Sequence, residues 1–319
     1  MIKTLIITNK SDITTDFIVK KLNEINASYY RLNTEDIGRH INVSLDFESQ
    51  LFFITDTRLD ISFNLLDVKS VYFRRPEISA NNSDLTLGEN NFIRAELQFT
   101  LEGIYRILEN ALWISNVYAI RSAENKIYQL LEAKKLGFSI PKSSISNSAL
   151  IAENFYFANS KSCIIKPIRC GLIEGEKEEG VIFTSEVEIN DINKQRIKAC
   201  PIFLQELISK KADVRVTVVG DKLFPALIHS QDEKESEVDW RRTDKLLKYS
   251  EVKLPEELET KCLALAEKLS LSFAAIDFIL TNDDEYIFLE INPNGQWAWI
   301  EKQLKFKISD EIVSLLVKN

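Results

Sequence analysis

Histidine and cysteine are scarce in this chain, and neither is grouped. His40 and His229 stand far apart, and Cys163, Cys170, Cys200 and Cys262 form no C-x-x-C pair. A zinc site draws on such residues at close spacing, so none is expected. Thiols without an evident partner suit a reducing compartment. There is no basic segment leading into a short apolar core near the N-terminus, and no apolar run approaches the ~20 residues of a membrane span. The expected location is the cytoplasm, with no membrane partner. Excess basic charge is also missing: 40 Lys and Arg against 48 Asp and Glu give a net charge of -8, mixed along almost every segment. That argues against a surface tracking nucleic-acid phosphates. No internal repeat or low-complexity linker is present. What remains is an ordinary globular composition, 45% hydrophobic and 28% charged over 319 residues. It can bury one large core or two to three small ones.

The opening reads β-α-β: a β-branched strand Ile2 to Thr8, a helix Thr14 to Asn26 and a strand Ser28 to Leu32. Alternating stretches Ile41 to Phe47, Leu51 to Thr55 and Leu59 to Phe63 predict short antiparallel strands that extend or flank this sheet. Val71 to Phe73 is a further strand, stopped by Arg74-Arg75-Pro76, and Asn90 to Glu109 has helical spacing. Ser122 is placed to cap a helix from Ala123 to Leu136, ended by Gly137. From Phe138 onward short strands and hairpins alternate with helices: Cys163 to Lys166, Val181 to Thr184, Ile202 to Leu207, Val214 to Val219, Leu223 to Ser230, Phe273 to Leu280 and Tyr286 to Ile291. The class is therefore α/β at the start and α+β after it, with the first boundary between Ile114 and Ser122.

The last hairpin carries acids where apolar residues are expected. A turn at Asp283-Asp284 sets Asp277 opposite Glu290, and alternation puts Glu290 and Asn292 on one face with Tyr286 and Phe288. Two facing carboxylates repel unless a cation lies between them. Asp, Glu and Asn offer hard oxygens, the ligands magnesium prefers alongside phosphates and water. Solvated surface acids are the ordinary alternative, but these strands are apolar almost throughout.

Upstream, Lys166 ends the strand CIIKP and Lys126 lies in the first turn of a helix, two point charges able to hold phosphates. Cys170 to Gly180, with Gly171, Gly175 and Gly180, reads as a flap over them, though it matches neither the Walker A nor the dinucleotide pattern. Gln205-Glu206-Leu207-Ile208 ends a strand whose open backbone groups suit an adenine edge.

In this order Ser-x-x-Asn-Lys (122–126), Ile-Ile-Lys-Pro (164–167), Gln-Glu-Leu-Ile (205–208), Asp-Val-Arg-Val (213–216) and Asp277 followed by Glu290-Ile-Asn292 resemble the ATP-grasp superfamily. The resemblance implies an ATP-grasp fold with an N-terminal pre-ATP-grasp domain over 1–118, a central domain over 119–207 and a C-terminal domain over 208–319. It also implies ATP and Mg2+ as cofactors. Lys126 and Lys166 would bind phosphates, Gln205, Glu206, Leu207 and Ile208 the adenine, Asp213 the ribose, and Asp277, Glu290 and Asn292 the metal.

Tyr72-Phe73-Arg74-Arg75-Pro76, Val219-Gly220-Asp221, Ile228-His229-Ser230-Gln231, Asp239-Trp240-Arg241 and Asn292-Pro293-Asn294-Gly295-Gln296-Trp297 are similar to the graspetide, or microviridin-type, macrocyclases. The implied activity phosphorylates an Asp or Glu side chain of a ribosomal precursor peptide. A Ser or Thr hydroxyl or a Lys amine then attacks, closing an ester or amide ring. Arg215 and Arg241 are the expected cationic stabilisers, and Asp239 is a candidate base. His229 is a weaker candidate than a packed strand residue. Arg74 and Arg75 suit either a domain seam or substrate. The implied peptide partner docks its leader segment on a helix Glu188 to Lys198 and the strands Val214 to His229. A homodimer is one arrangement left open. A RimK-like carboxylate-amine ligase acting on an amino acid or protein tail, and a non-catalytic ATP-binding regulator, are the alternatives.

Overall fold

The computed structural model describes residues 2–78, 83–169, 171–173 and 180–318. Most of the expected flap, Cys170 and 174–179, lies outside them. Backbone contacts divide the chain into two units, Met1–Ile120 with Ser270–Phe273 and Gln296–Asn319, and Arg121–Leu269 with Ala274–Gly295.

The first unit opens with β1 (Thr4–Thr8), whose five residues are all buried. A strand covered on both faces needs no polar alternation, hence the β-branched run. Asp12 caps α1 (Ile13–Glu24) by accepting from Thr14 N, and β2 (Tyr29–Asn33) returns parallel to β1. β3 (Ile41–Asp46), β4 (Leu51–Asp56) and β5 (Ile61–Asn64) form a separate antiparallel sheet, so they flank the opening sheet and do not extend it. β6 (Ser70–Phe73) pairs parallel with the other side of β1. α2 (Leu87–Ile107) starts before its apolar periodicity does, because Thr86 and Glu89 close a reciprocal capping box. β7 (Leu112–Ile114) completes a parallel sheet in the order β2-β1-β6-β7.

The helix expected from Ala123 is two helices. α3 (Val117–Ala123) ends where it should have begun, and α4 (Lys126–Lys135) starts after Asn125. The Asn125 carboxamide accepts from Ile127 N at 3.0 Å and Tyr128 N at 3.1 Å. Asparagine reaches both orphan N–H groups, and Ser122 is left inside the preceding helix. Gly137, at φ +77°, stops α4 as expected.

The second unit follows with β8 (Ser143–Ser146), α5 (Ala149–Ala158) and β9 (Cys163–Lys166). After the short antiparallel pair β10 (Leu172–Ile173) and β11 (Gly180–Val181) come β12 (Ser185–Glu186), α6 (Lys194–Ile197) and β13 (Ile202–Glu206). The helix expected over Glu188 to Lys198 shrinks to these four residues. Asn190 and Asn193 prevent the rest: the Asn190 side chain accepts from Ile192 N and Asn193 N, and Asn193 accepts from Asn190 N. Such turns compete directly with helical hydrogen bonds. One sheet runs β12-β9-β13-β8.

The other contains β14 (Lys210–Val219), β15 (Lys222–Ile228), β16 (Tyr249–Glu251), β17 (Phe273–Thr281) and β18 (Tyr286–Asn292), ordered β16-β15-β14-β17-β18. α7 (Glu256–Lys268) packs on β14, and α4 packs on β18. After β18, α8 (Ala298–Leu304) and α9 (Ile308–Val317) belong to the first unit, α9 lying on α1. Trp297 is fully buried there, edge-on to Phe17 at 5.9 Å. No helix among the described residues is long and apolar enough to cross a membrane.

Candidate functional site

The hairpin β17–β18 holds the acids. Asp277 pairs with Glu290, but the next pair is Phe278 with Phe288, so Leu289 is an extra residue forming a bulge. The bulge reverses the alternation beyond it. Phe288, expected beside Glu290, turns to the far face, where it and Phe278 pack on Phe138 at 5.4 and 5.9 Å. Leu289 and Ile279 instead join the two acids along a cleft. Asp277 is 7% exposed and Glu290 9%, which rules out a solvated sheet face.

The cleft encloses about 710 Å³, its open mouth included, between β9 and β13 on one side and β14, β17 and β18 on the other. Gln205, Glu206, Leu207 and Ile208 form one end, while Lys166, Asp213, Asp239, Arg241, Asp277 and Glu290 line the rest. Three predicted residues stand one bond behind the wall. Arg215 reaches Asp277 with a two-pronged contact, Nε to Oδ1 at 2.8 Å and Nη2 to Oδ2 at 2.7 Å. Lys126 Nζ lies 2.9 Å from Glu290 Oε2. Asn292 Nδ2 donates to Asp277 Oδ2 at 3.0 Å.

Tertiary packing delivers Lys126. Gln129, one turn along α4, is buried, accepts from Ile291 N at 3.1 Å and donates to Ile291 O at 2.8 Å. This locks the start of α4 beside Glu290. Arg241 closes the ring, forked on Asp239 with both contacts at 2.8 Å and 3.7 Å from Glu290. Four cations thus face three carboxylates, Asp239, Asp277 and Glu290.

The charges respond to this. Burial pushes the Glu290 carboxyl up, but Lys126, Lys166 and Arg241 bring it well below its ordinary value. Burial pulls the Lys166 ammonium down to about 8 against the attraction of Glu290. Burial also raises Asp239, yet the Arg241 fork holds it net low. A carboxylate with both oxygens on a guanidinium is a weak proton acceptor, so the geometry does not favour the expected base. Asp213 is net raised by burial despite Lys210, whose Nζ sits 2.6 Å away.

The strand end at 205–208, expected to face adenine, is only partly open. Leu207 N donates to Ser162 O and Glu206 N to Lys142 O, each at 3.0 Å. His229 is off the site. Asp213 pairs with Ile228, while Leu227 pairs with Ser250, and His229 Nε2 lies 3.0 Å from Ser250 Oγ on that opposite face. In the first unit, Arg74 is buried and pairs with Asp12 at 3.2 Å.

Several cleft residues were not foreseen. Lys210 lies outside the expected strand Val214 to Val219, but β14 begins at it. Trp240 stacks 5.1 Å from the Arg215 guanidinium, and Thr184 N donates to Asp239 at 3.3 Å. Trp240 lies within the noted Asp239-Trp240-Arg241; nothing local marks Thr184.

The donor set fits a divalent cation bound together with phosphates. Among the described residues no group of three or more His, Cys, Asp or Glu could hold a metal alone. Two carboxylates and an amide oxygen match an ion that takes its remaining oxygens from phosphate and water. The Asn292 amide now turns its nitrogen to the carboxylates, so it would present its oxygen by rotating.

Over residues 123–316 the chain matches the model of a RimK-like ATP-grasp domain, and over residues 3–121 that of the MvdD pre-ATP-grasp domain. Among solved structures it is similar to a RiPP-associated ATP-grasp ligase from Chryseobacterium gregarium, in complex with ADP and a leader and core peptide. That likeness has 27% identity and a TM-score of 0.90, covering 99% of this chain and 96% of that one. Macrocyclase MdnC from Microcystis aeruginosa, bound with precursor peptide MdnA, is 26% identical at a TM-score of 0.87, over 100% of both chains. A probable alpha-L-glutamate ligase of Shewanella denitrificans is 23% identical over 229 residues, 70% of this chain and 72% of that protein.

Proposed function

Because the chain belongs to the RimK-like ATP-grasp family and carries an MvdD-type pre-ATP-grasp domain, we propose that it is an ATP-dependent peptide macrocyclase. The reading rests on one observation above all: Lys126, Lys166, Arg215 and Arg241 gather around Asp277 and Glu290 in a cleft whose far end is the strand end 205–208. The likeness over whole chains to ligases solved with precursor peptides supports a peptide substrate.

ATP transfers its γ-phosphoryl group to a carboxylate oxygen of an Asp or Glu side chain, releasing ADP. The acyl phosphate then loses phosphate when a Ser or Thr oxygen, or a Lys nitrogen, bonds to the carbonyl carbon. Each ring removes one water from the peptide. Little covalent work falls to the protein, and positioned charge does most of the rest. Lys126 and Lys166 take the phosphates as point charges. Arg241, aimed by its fork on Asp239, faces the transferring group, and Arg215 holds Asp277 in place. A magnesium ion held by Asp277, Glu290 and Asn292 would neutralise charge on the phosphoryl oxygens. We assign the ribose to Asp213, which lines the same cleft beside Lys210.

Incubation with ATP, magnesium and the acidic precursor peptide should give ADP and a loss of one water per cross-link by mass spectrometry. AMP as product, or no mass loss on acidic peptides, would refute the reading. The glutamate-ligase relatives motivate the second reading, a carboxylate-amine ligase, which predicts mass gain with free glutamate in place of water loss.

A further inference from the structure

β18 ends the sheet ordered β16-β15-β14-β17-β18, so one of its edges has no strand beside it. Backbone groups buried along such an edge need partners from elsewhere. Both come from α4 and the residues just after it. Ser139 O accepts from Phe288 N at 2.8 Å, and the Gln129 side chain takes both backbone groups of Ile291. Its Oε1 accepts from Ile291 N at 3.1 Å, while Nε2 donates to Ile291 O at 2.8 Å and to Ala123 O at 2.6 Å. The carboxamide thus stands in for a residue of a neighbouring strand. At 3% exposure it has no water to replace these bonds. An ionised glutamate of the same length could not donate, and asparagine is one methylene short.

Ile291 lies between Glu290 and Asn292, two of the three candidate metal ligands. The pins at Phe288 and Ile291 also enclose the bulge residue Leu289, which aims Glu290 into the cleft. Lys126 stands one turn before Gln129 on the same face of α4. Its Nζ lies 2.9 Å from Glu290 Oε2 and donates to Pro167 O at 3.3 Å. One buried side chain therefore sets the spacing between a phosphate lysine and the metal oxygens of β18. We propose that Gln129 is a positioning residue that couples metal binding to nucleotide binding. Phosphate held by Lys126 steadies α4, α4 steadies Ile291 through Gln129, and Glu290 and Asn292 are then held for the ion. The inference rests on the ATP reading above and adds how its two subsites communicate. Linkage makes the effect reciprocal, so the metal strengthens the nucleotide by the same factor.

The measurement is the affinity of the full chain for a non-hydrolysable ATP analogue, with magnesium and with EDTA, by calorimetry. The unchanged chain should gain about 100-fold from magnesium. Gln129→Met keeps the bulk and loses all three hydrogen bonds, and its gain should fall below ~10-fold. Gln129→Glu keeps only the bond from Ile291 N and should lose the gain as well. A glutamine that serves stability alone would lower the melting temperature of both variants and leave the gain intact; that result would overturn the proposal, as would no gain in the unchanged chain. Hydrogen exchange needs no variant: nucleotide without metal should slow the Ile291 amide by ~10-fold, and an unchanged rate also refutes the coupling. Failure to bind nucleotide even with magnesium would instead sink the ATP reading itself.

Discussion

Lys166 offers the sharpest test of the charge arrangement. It ends β9, is 8% exposed, and its ammonium lies 4.9 Å over the Phe203 ring. Burial lowers it from the ordinary 10.5 to about 8; Glu290 and Asp239 oppose the fall, while Lys126 and Arg241 deepen it. A difference of that size corresponds to roughly 3 kcal/mol against the charged form in the folded chain. The folded value is below the unfolded one, so this penalty is fully present below about pH 8 and fades as pH climbs towards 10.5. A phosphate chain alongside would favour the ammonium and reverse the effect. Without nucleotide, Lys166→Met should therefore stabilise the chain at neutral pH by up to ~3 kcal/mol. It should also remove most of the stabilisation that ATP gives. In the unchanged chain, ATP affinity should hold level up to about pH 8 and then weaken by about tenfold per pH unit, because binding must take up a proton. The variant should show no such slope. Thermal melts with and without ATP and magnesium, and ATP titrations across this pH range, measure both. A flat affinity for the unchanged chain, or a Lys166→Met that melts lower yet still gains from ATP, would refute the reasoning.

Three further outcomes follow from contacts in the same unit. Glu290→Gln removes the carboxylate facing Lys126 at 2.9 Å and Arg241 at 3.7 Å. Turnover, read as ADP release, should fall at least ~100-fold, with a stability loss of about 1 kcal/mol, because Lys126 loses its partner while the half-exposed Arg241 keeps Asp239. Continued activity would refute the metal role. Arg241→Lys keeps the charge but loses the fork on Asp239, and kcat/KM for the peptide should drop by roughly 30-fold. Gly295→Ala would set a Cβ 2.5 Å from Ala275 Cβ, so denaturant unfolding should show a loss of ~1–3 kcal/mol, partly restored by Ala275→Gly.

The Asp277–Glu290 pairing was legible because cross-strand register follows from counting back from a turn. The count failed one residue later. A bulge leaves no mark in the periodicity, so Phe288 was placed on the wrong face. Helix starts were misjudged where two capping residues competed, as with Ser122 and Asn125, and the helix over Glu188 to Lys198 was lost to asparagine turns. Asp239 illustrates a different limit. Its neighbour Arg241 was visible, but the fork that occupies both its oxygens depends on rotamers and burial.

Local pattern by itself determined most of the strands and the acid-bearing hairpin, because strand alternation and helix spacing act over a few residues, and the order of five short motifs carried the family resemblance. Only the tertiary structure decided what meets what. Gln129 brings Lys126 to Glu290 from more than 150 positions away, β14 brings Arg215 to Asp277, and Trp297 is buried in the first unit although it follows the hairpin of the second. Such meetings are set by which apolar faces bury against each other, and spacing along the chain carries no record of them.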